Sequence, residues 1–335
     1  MHSTNWPVQF LFVESHRDGN ALQKGIHALR ALAKTLTLRL TRQIDIIQIH
    51  IGDFPSIYRK MLVALPLMIM PRSKTILHVH GAAFLNEYAQ QPKWAQALVR
   101  RFIQRFDLVI ALSEKWRSDL QTLFQIKSIL VLPNAVNVPE QPPERDLSTE
   151  RKFLFLGHIG SRKGVFDLLN ATQKMESDNT PFSLKIGGNG EILKLNAAID
   201  QAALGNKVSY CGWVTGRVRD EVMNQSHVLV LPSYAEGAPM SILEGMAMGM
   251  PVISTRVGAI PEMVQHGKNG FLIEPGDIDG LIKAMTILSQ DEKLCRAMAI
   301  NSHTIAKEYF SLTAHEAMLH NAYNNLLCHS VDKFQ

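Results

Sequence analysis

The sequence predicts an α/β protein made of two doubly wound, parallel-sheet domains. Three observations predict it. Short apolar runs alternate with longer amphipathic stretches along the whole chain, as strands buried on both faces and separated by helices would. The 335 residues exceed one ordinary core and suit two domains of about 150 residues each. Residues 139–148, PEQPPERDLS, interrupt the alternation with a charged, proline-rich linker that has no apolar period.

Taken in order, the strand candidates of the first domain are VQFLFV (8–13), DIIQIHI (45–51), TILHVH (75–80), DLVIAL (107–112) and SILVLP (128–133). Those of the second are FLFLG (153–157), FSLKIGG (182–188), KVSYCG (207–212), HVLVLP (227–232), PVIST (251–255) and GFLIEP (270–275). Between them lie helical patterns such as GNALQKGIHALRALAKTLTLRL (19–40) and KWAQALVRRFIQRF (93–106). The tail SLTAHEAMLHNAYNNLL (311–327) reads as a final helix. The expected division is a first domain over 1–145, a second over 151–310, and a terminal segment, 311–335, whose helix crosses back to the first.

At 46% hydrophobic and 19% charged residues, the composition is globular. Residues 1–150 carry 18 Lys and Arg against 12 Asp and Glu, so that part holds +6 of a net charge of +5 and the rest is −1. The excess is scattered. It reads either as a solvated face or as a surface for an acidic substrate or an anionic membrane. Nucleic acid is excluded as a partner, because there is no binding motif and no stripe of interleaved basic and aromatic residues. Cys211, Cys295 and Cys328 have no CxxC spacing, which fits a reducing compartment without disulfides or a zinc site. The N-terminus shows no basic segment followed by a long apolar core. The longest apolar run, MLVALPLMIM (61–70), has ten residues and contains Pro66, too short to span a bilayer at about 20 residues. The expected location is the cytoplasm, including the inner face of the membrane.

The residues that carry chemistry follow the strands of the second half, where ligands of open α/β sheets sit. Residues 236–244, EGAPMSILE, place Glu236 in a Gly/Pro loop and Glu244 in the small-residue helix that follows. Such a strand-to-helix loop exposes backbone N–H groups and a helix N-terminus, which suit a phosphate. Glu244 can then accept from a ribose hydroxyl, so the segment points to a nucleotide-sugar site. A glycosidase would instead use the two carboxylates as acid and nucleophile across a sugar. One carboxylate in the loop and the other well inside the helix favour ligand holding.

Three further loops qualify. GHIGSRKG (157–164) carries Gly157, His158 and Lys163, the last a point charge that can neutralise a diphosphate; alone it reads equally as a tight turn with a surface lysine. GGNGE (187–191), with Gly188, and GWVTG (212–216), with Val214, read alone as turns. In the first domain His80 ends a strand before Gly81, where it can orient a reacting hydroxyl or phosphate. His78 and His50 also end strands, but no third ligand stands in metal-binding spacing, so no metal is expected.

Together EGAPMSILEGMAMGMPVI, FLGHIGSRKG, GGNGE and VGAIPEMVQHGKNGFLIEPGD, in that order and spacing, resemble the retaining glycosyltransferases of family 4, with the GT-B fold. The resemblance covers nearly the whole chain and is strongest over 153–275. It implies two Rossmann-like domains facing a central cleft, the nucleotide on the second. It implies that Lys163 neutralises the donor diphosphate and that Glu236 contacts the donor sugar. Backbone N–H groups of Gly237, Ala238, Pro239's neighbours Met240 and Ser241 would hold phosphate or sugar oxygens, Glu244 the ribose, and the backbone at Val214 the base. His80 would line the acceptor side. The implied substrates are a nucleoside diphosphate sugar and a glycan or lipid-linked acceptor of surface polysaccharide synthesis. WAQALVRRFIQRF, with Arg100, Arg101 and Arg105, offers a peripheral membrane contact or an ordinary surface helix. No cofactor and no metal are implied, and the anomeric configuration would be retained.

Two departures stand out. His158, only partly charged near neutral pH, replaces the usual Arg of the lysine loop. The family's opening strand, Gly-Gly loop and helix have no counterpart before VQFLFV, which implies a first domain shortened at its N-terminus. The alternatives this leaves are a start upstream of Met1 and an impaired GT-B scaffold that binds a nucleotide or a partner protein.

Overall fold

The computed structural model describes residues 9–14, 21–41, 44–52, 54–68, 73–81, 84–148 and 150–328. Two compact units emerge from the contacts. One takes in Met1–Ile110, Leu120–Leu130 and Tyr323–Gln335, and the other Ala111–Asp119 and Val131–Ala322. Each holds its own parallel sheet. The helix Leu312–Cys328 contributes residues to both units, those from Tyr323 onward to the first.

The first sheet contains β1 (Ile46–Ile51), β2 (Lys74–Val79), β3 (Leu108–Ala111) and β4 (Ile129–Val131), in the order β1-β2-β3-β4. β2 and β3 are buried almost throughout, as their continuous apolar sequences require of strands covered on both faces. β1 lies at the edge and pairs in register with β2, Ile49 opposite Leu77 and His50 opposite His78. Helices Pro55–Met68 and Phe84–Ala89 follow β1 and β2.

The second sheet contains β5 (Arg151–Leu156), β6 (Phe182–Gly187), β7 (Val208–Tyr210), β8 (Val228–Leu231), β9 (Val252–Thr255) and β10 (Gly270–Ile273). Its order is β10-β9-β8-β5-β6-β7. The order reverses between β5 and β8, so their following loops lie side by side although about 75 residues of chain separate the strands. The core of this unit is continuous from Val136 to Phe310. Arg151 is buried inside it, 2% exposed, and donates from Nε to the Leu288 carbonyl at 2.7 Å, which satisfies a charge that burial would otherwise make costly.

Every strand expected from the sequence forms except the first. Residues 9–14 belong to no strand, and Phe10, Leu11 and Phe12 are 47, 43 and 69% exposed; Val8 lies outside the described residues. A run of five apolar residues and one glutamine is compatible with a strand, but a strand needs a neighbour to pair its backbone. The fold gives this segment none among the described residues, and β1 is bonded only to β2.

Candidate active site

The site in the second unit grows from four loops at the carboxyl ends of neighbouring strands. After β5 the chain turns through Gly157, whose N–H donates to the Gly187 carbonyl at 3.1 Å. Ile159 N–H donates to Asn189 O at 2.6 Å, Glu191 N–H to Ile159 O at 2.9 Å, and Gly188 N–H to Gly212 O at 2.9 Å. The loops carrying Gly157, Gly188 and Val214 are thereby tied to one another by backbone hydrogen bonds. They pack so closely that a Cβ on Gly188 would lie 1.8 Å from Gly157 O, and one on Gly187 would lie 2.9 Å from the Val214 side chain. Turn glycines that the sequence leaves ambiguous are here points of backbone contact.

Lys163 closes the short 3-10 turn Ser161–Lys163, one residue before helix Val165–Ser177. Its Nζ lies 2.5 Å from Oε1 of Glu236, with the two side chains 15 and 5% exposed. Ser233, fully buried after β8, donates from Oγ to the same Oε1 at 2.7 Å. Thr255 in turn donates to the Ser233 carbonyl at 2.5 Å. The lysine expected to neutralise a diphosphate and the glutamate expected to touch a sugar are thus one buried ion pair. They meet because β5 and β8 are neighbours at the point where the strand order reverses.

The loop after β8 is anchored from behind. Ala259 N–H donates to Gly237 O at 2.8 Å, and Asn134 Nδ2 donates to Ala238 O at 3.1 Å. Gly258, at φ +56°, passes so close that a Cβ there would lie 2.2 Å from Glu236 O. With its carbonyls engaged, the loop leads into helix Met240–Ala247, which has Pro239 at its N-cap and no side-chain cap. The first N–H groups of that helix, at Met240 and Ser241, are the orphan donors every helix start leaves, and they suit an anion. Arg162, on the lysine loop, donates to Ala235 O at 3.2 Å. His158 is exposed on the same loop.

Glu244, on the same helix, has Oε1 2.5 Å from Nη1 of Arg219. Burial pushes its carboxyl above the usual range, Arg219 pulls it down and Asp220 adds to the rise. Arg219 lies on helix Gly216–Asn224, directly after the loop that carries Val214. Sequence reasoning missed it; its only signal was its place in the first turn after a loop already singled out.

His80 belongs to the first unit. Its backbone N–H donates to Ile51 O at 2.8 Å, and its Nε2 lies 2.8 Å from Nδ1 of His50. Tyr323 donates to Oε1 of Gln48 at 2.7 Å, which turns the amide nitrogen of Gln48 toward Nε2 of His50 at 3.2 Å. An amide nitrogen only donates. Nε2 of His50 therefore accepts, its Nδ1 carries the proton, and Nε2 of His80 accepts from it. Partial desolvation first, then the charge of Lys60, lowers the proton affinity of His50, which remains solvent-accessible. His78, 4% exposed, completes the group: one ligand atom from each of His50, His78 and His80 lies within 4.8 Å of the others. Chain spacing showed no third ligand, because strand pairing is what brings His50 to the other two.

The sequence model of the family described as "Glycosyl transferases group 1" matches residues 137–305, half of the chain. The chain belongs to that family. The model of "Glycosyltransferase Family 4" matches residues 8–139 of the same chain. Among curated relatives, N-acetyl-alpha-D-glucosaminyl L-malate synthase of Bacillus anthracis is 27% identical over 72% of this chain and 65% of its own length. The Escherichia coli UDP-Gal:alpha-D-GlcNAc-diphosphoundecaprenol alpha-1,3-galactosyltransferase is 28% identical over 68% of this chain and 65% of its own. The chain thus spans just under two thirds of the length of these relatives. A solved Anabaena protein, Alr3699/HepE in complex with UDP, superposes with a TM-score of 0.73 at 18% identity, covering 90% of this chain and 84% of that one. At that identity the likeness establishes the fold, GT-B, with its two Rossmann-like domains. No helix among the described residues is long and apolar enough to cross a membrane.

Proposed function

We propose that this glycosyltransferase moves a sugar from a nucleoside diphosphate to a glycan or lipid-linked acceptor, with retention at the anomeric carbon, in the making of a surface polysaccharide. The observation that carries the reading is the buried Lys163–Glu236 pair beside the uncapped N-terminus of helix Met240–Ala247, with Glu244 further along it. A diphosphate fits where a lysine ammonium and free helix N–H groups converge, because both donate to its oxygens. Glu236 holds Lys163 in place and offers a carboxylate to the hydroxyls of the transferred sugar, while Glu244 takes the ribose. As the bond to the anomeric carbon breaks, negative charge grows on the diphosphate, and these donors stabilise it most at that moment. The departing phosphate oxygen takes the acceptor proton on the same face, which gives retention.

Relatives support the substrate classes. One carries a UDP-sugar and a diphosphoundecaprenol acceptor in its name, and a structural neighbour was solved with UDP. On the acceptor side, helix Lys93–Ile103 buries Ala95, Val99, Phe102 and Ile103 and leaves Trp94 and Leu98 69 and 46% exposed, with Arg101 exposed on the same side. An aromatic and a basic residue on one exposed helix face suit the headgroup layer of an anionic membrane, where a lipid-linked acceptor resides.

Calorimetry against a panel of nucleoside diphosphate sugars tests the donor. One member is expected to bind, and Glu244→Ala is expected to weaken it by about 1.5–3 kcal/mol. Absence of binding by every member, or equal binding by Glu244→Ala, overturns the reading. The anomeric configuration of the product, read by NMR, tests retention.

A further inference from the structure

We propose that His50, His78 and His80 form a binding site for a divalent transition-metal ion of the zinc or cobalt type in the first unit. The three residues converge by design of the sheet. His78 and His80 are two apart at the end of β2 and its continuation, so their side chains share a face. His50, near the end of β1, is the register partner of His78 in the parallel ladder. The His78 and His80 rings lie 3.9 Å apart, and the His50 ring lies 5.0 and 5.1 Å from them. One ligand atom from each lies within 4.8 Å of the other two.

Two imidazole nitrogens bound tetrahedrally to zinc at about 2.0–2.1 Å stand about 3.3 Å apart. Nδ1 of His50 and Nε2 of His80 are at 2.8 Å, so an ion needs them to part by about half an ångström, a change that small side-chain rotations supply. Nitrogen is the right donor class. Among the described residues no carboxylate belongs to the group, and an all-imidazole donor set favours ions that accept nitrogen over the hard cations calcium and magnesium. Lys60 lies close enough for its charge to act on His50. The lysine charge opposes any cation, so only an ion with strong imidazole affinity is retained.

An outer shell is also present. Tyr323 orients Gln48, and Gln48 orients the His50 ring. With Nδ1 on an ion, Nε2 of His50 carries the proton, and Gln48 turns its amide over to accept from it. No proton is gained or lost by His50; its proton moves from one ring nitrogen to the other. Outer partners of this kind are worth about 10–100-fold in metal affinity. His50 is exposed and His80 partly so, which leaves a path to solvent and room for a further ligand.

The test uses the full chain, freed of metal by chelator, and cobalt(II) alone as probe. The visible d–d bands of nitrogen-bound cobalt are expected to saturate at one equivalent and to be bleached by zinc. His78→Ala is expected to abolish saturation. Because that residue is buried, His50→Ala, at an exposed position, provides the second variant, with circular dichroism as the check on folding. Gln48→Leu is expected to weaken cobalt about 10-fold or more while nucleoside diphosphate affinity stays unchanged. No stoichiometric spectrum, or one that persists in folded His50→Ala, overturns the proposal. Neither result bears on the donor site, which is measured by nucleotide calorimetry.

Discussion

At the scale of single residues, the proposed donor chemistry rests on the buried Lys163–Glu236 pair, which also bears on stability. Removing one partner leaves the other as an uncompensated buried charge, at a cost of about 3–5 kcal/mol. Lys163→Ala is therefore expected to lower both the stability of its unit in denaturant titration and the affinity for nucleoside diphosphate. Lys163→Met combined with Glu236→Leu is expected to recover much of the stability and none of the affinity. A double variant no more stable than Lys163→Ala would show that the pair does not behave as a coupled unit. His227 gives a pH dependence. Burial first, then Arg151, Lys152 and Arg145, pushes its imidazole down to about 4, and its Nδ1 accepts from Lys152 N–H at 3.3 Å. The folded value lies below the ordinary 6.5, so the unfolded chain binds the extra proton between them. Stability from this group is fully present above pH 6.5 and is lost as pH falls toward 4. At about 1.4 kcal/mol per pH unit the loss amounts to about 3.5 kcal/mol at most. Thermal melts from pH 7 to 4 should show a shallower decline in His227→Gln; parallel curves would remove His227 as the cause.

At the scale of elements, the strand-to-loop junctions do the positioning. Gly258 sits at φ +56° against the Glu236 carbonyl, with space for hydrogen alone. Gly258→Ala is expected to push back the loop carrying Glu236, Gly237 and Ala238, reducing nucleotide affinity together with stability. Gly205 meets nothing within 4 Å, so Gly205→Ala serves as a control and should stay within about 0.5 kcal/mol of the parent. Equal behaviour of the two variants would mean that the loop accommodates a Cβ by moving without cost. The same junctions explain what periodicity could and could not read. β8 and β9 are buried at every position, and their continuous apolar sequences announce it. Residues 9–13 have a similar composition yet form no strand, and Phe10, Leu11 and Phe12 stay exposed, because composition says nothing of whether a neighbouring edge exists.

At the scale of the whole molecule, two units each carry a sheet and a set of candidate groups, and a ligand should report which unit it uses. Saturating nucleoside diphosphate, at about 100 times Kd, is expected to stabilise the unit that binds it by about 2.7 kcal/mol. Hydrogen exchange should then slow in the loops at 157–164, 187–191 and 236–244. Slowing confined to β1 and β2 would place the nucleotide in the wrong unit. Since the proposed chemistry runs on lysine, helix N–H groups and the leaving diphosphate, transfer is expected to survive excess chelator. A complete loss restored by metal would end that account, whatever the histidine group binds.

The sequence by itself determined the class of fold and named the loops in which the proposed donor groups lie. Alternating apolar runs encode strands through a period of two and helices through 3.6, both of which are local. The loops with Lys163, Gly188, Val214, Glu236 and Glu244 were legible because each directly follows such a run. Only the tertiary structure decided who meets whom. Lys163 finds Glu236 across 73 residues because the sheet places β5 beside β8, and Arg219 finds Glu244 across 25. His50 joins His78 and His80 because β1 and β2 pair in one register. Strand order and register depend on how whole faces bury against one another, a property of the assembled core that no window of sequence contains.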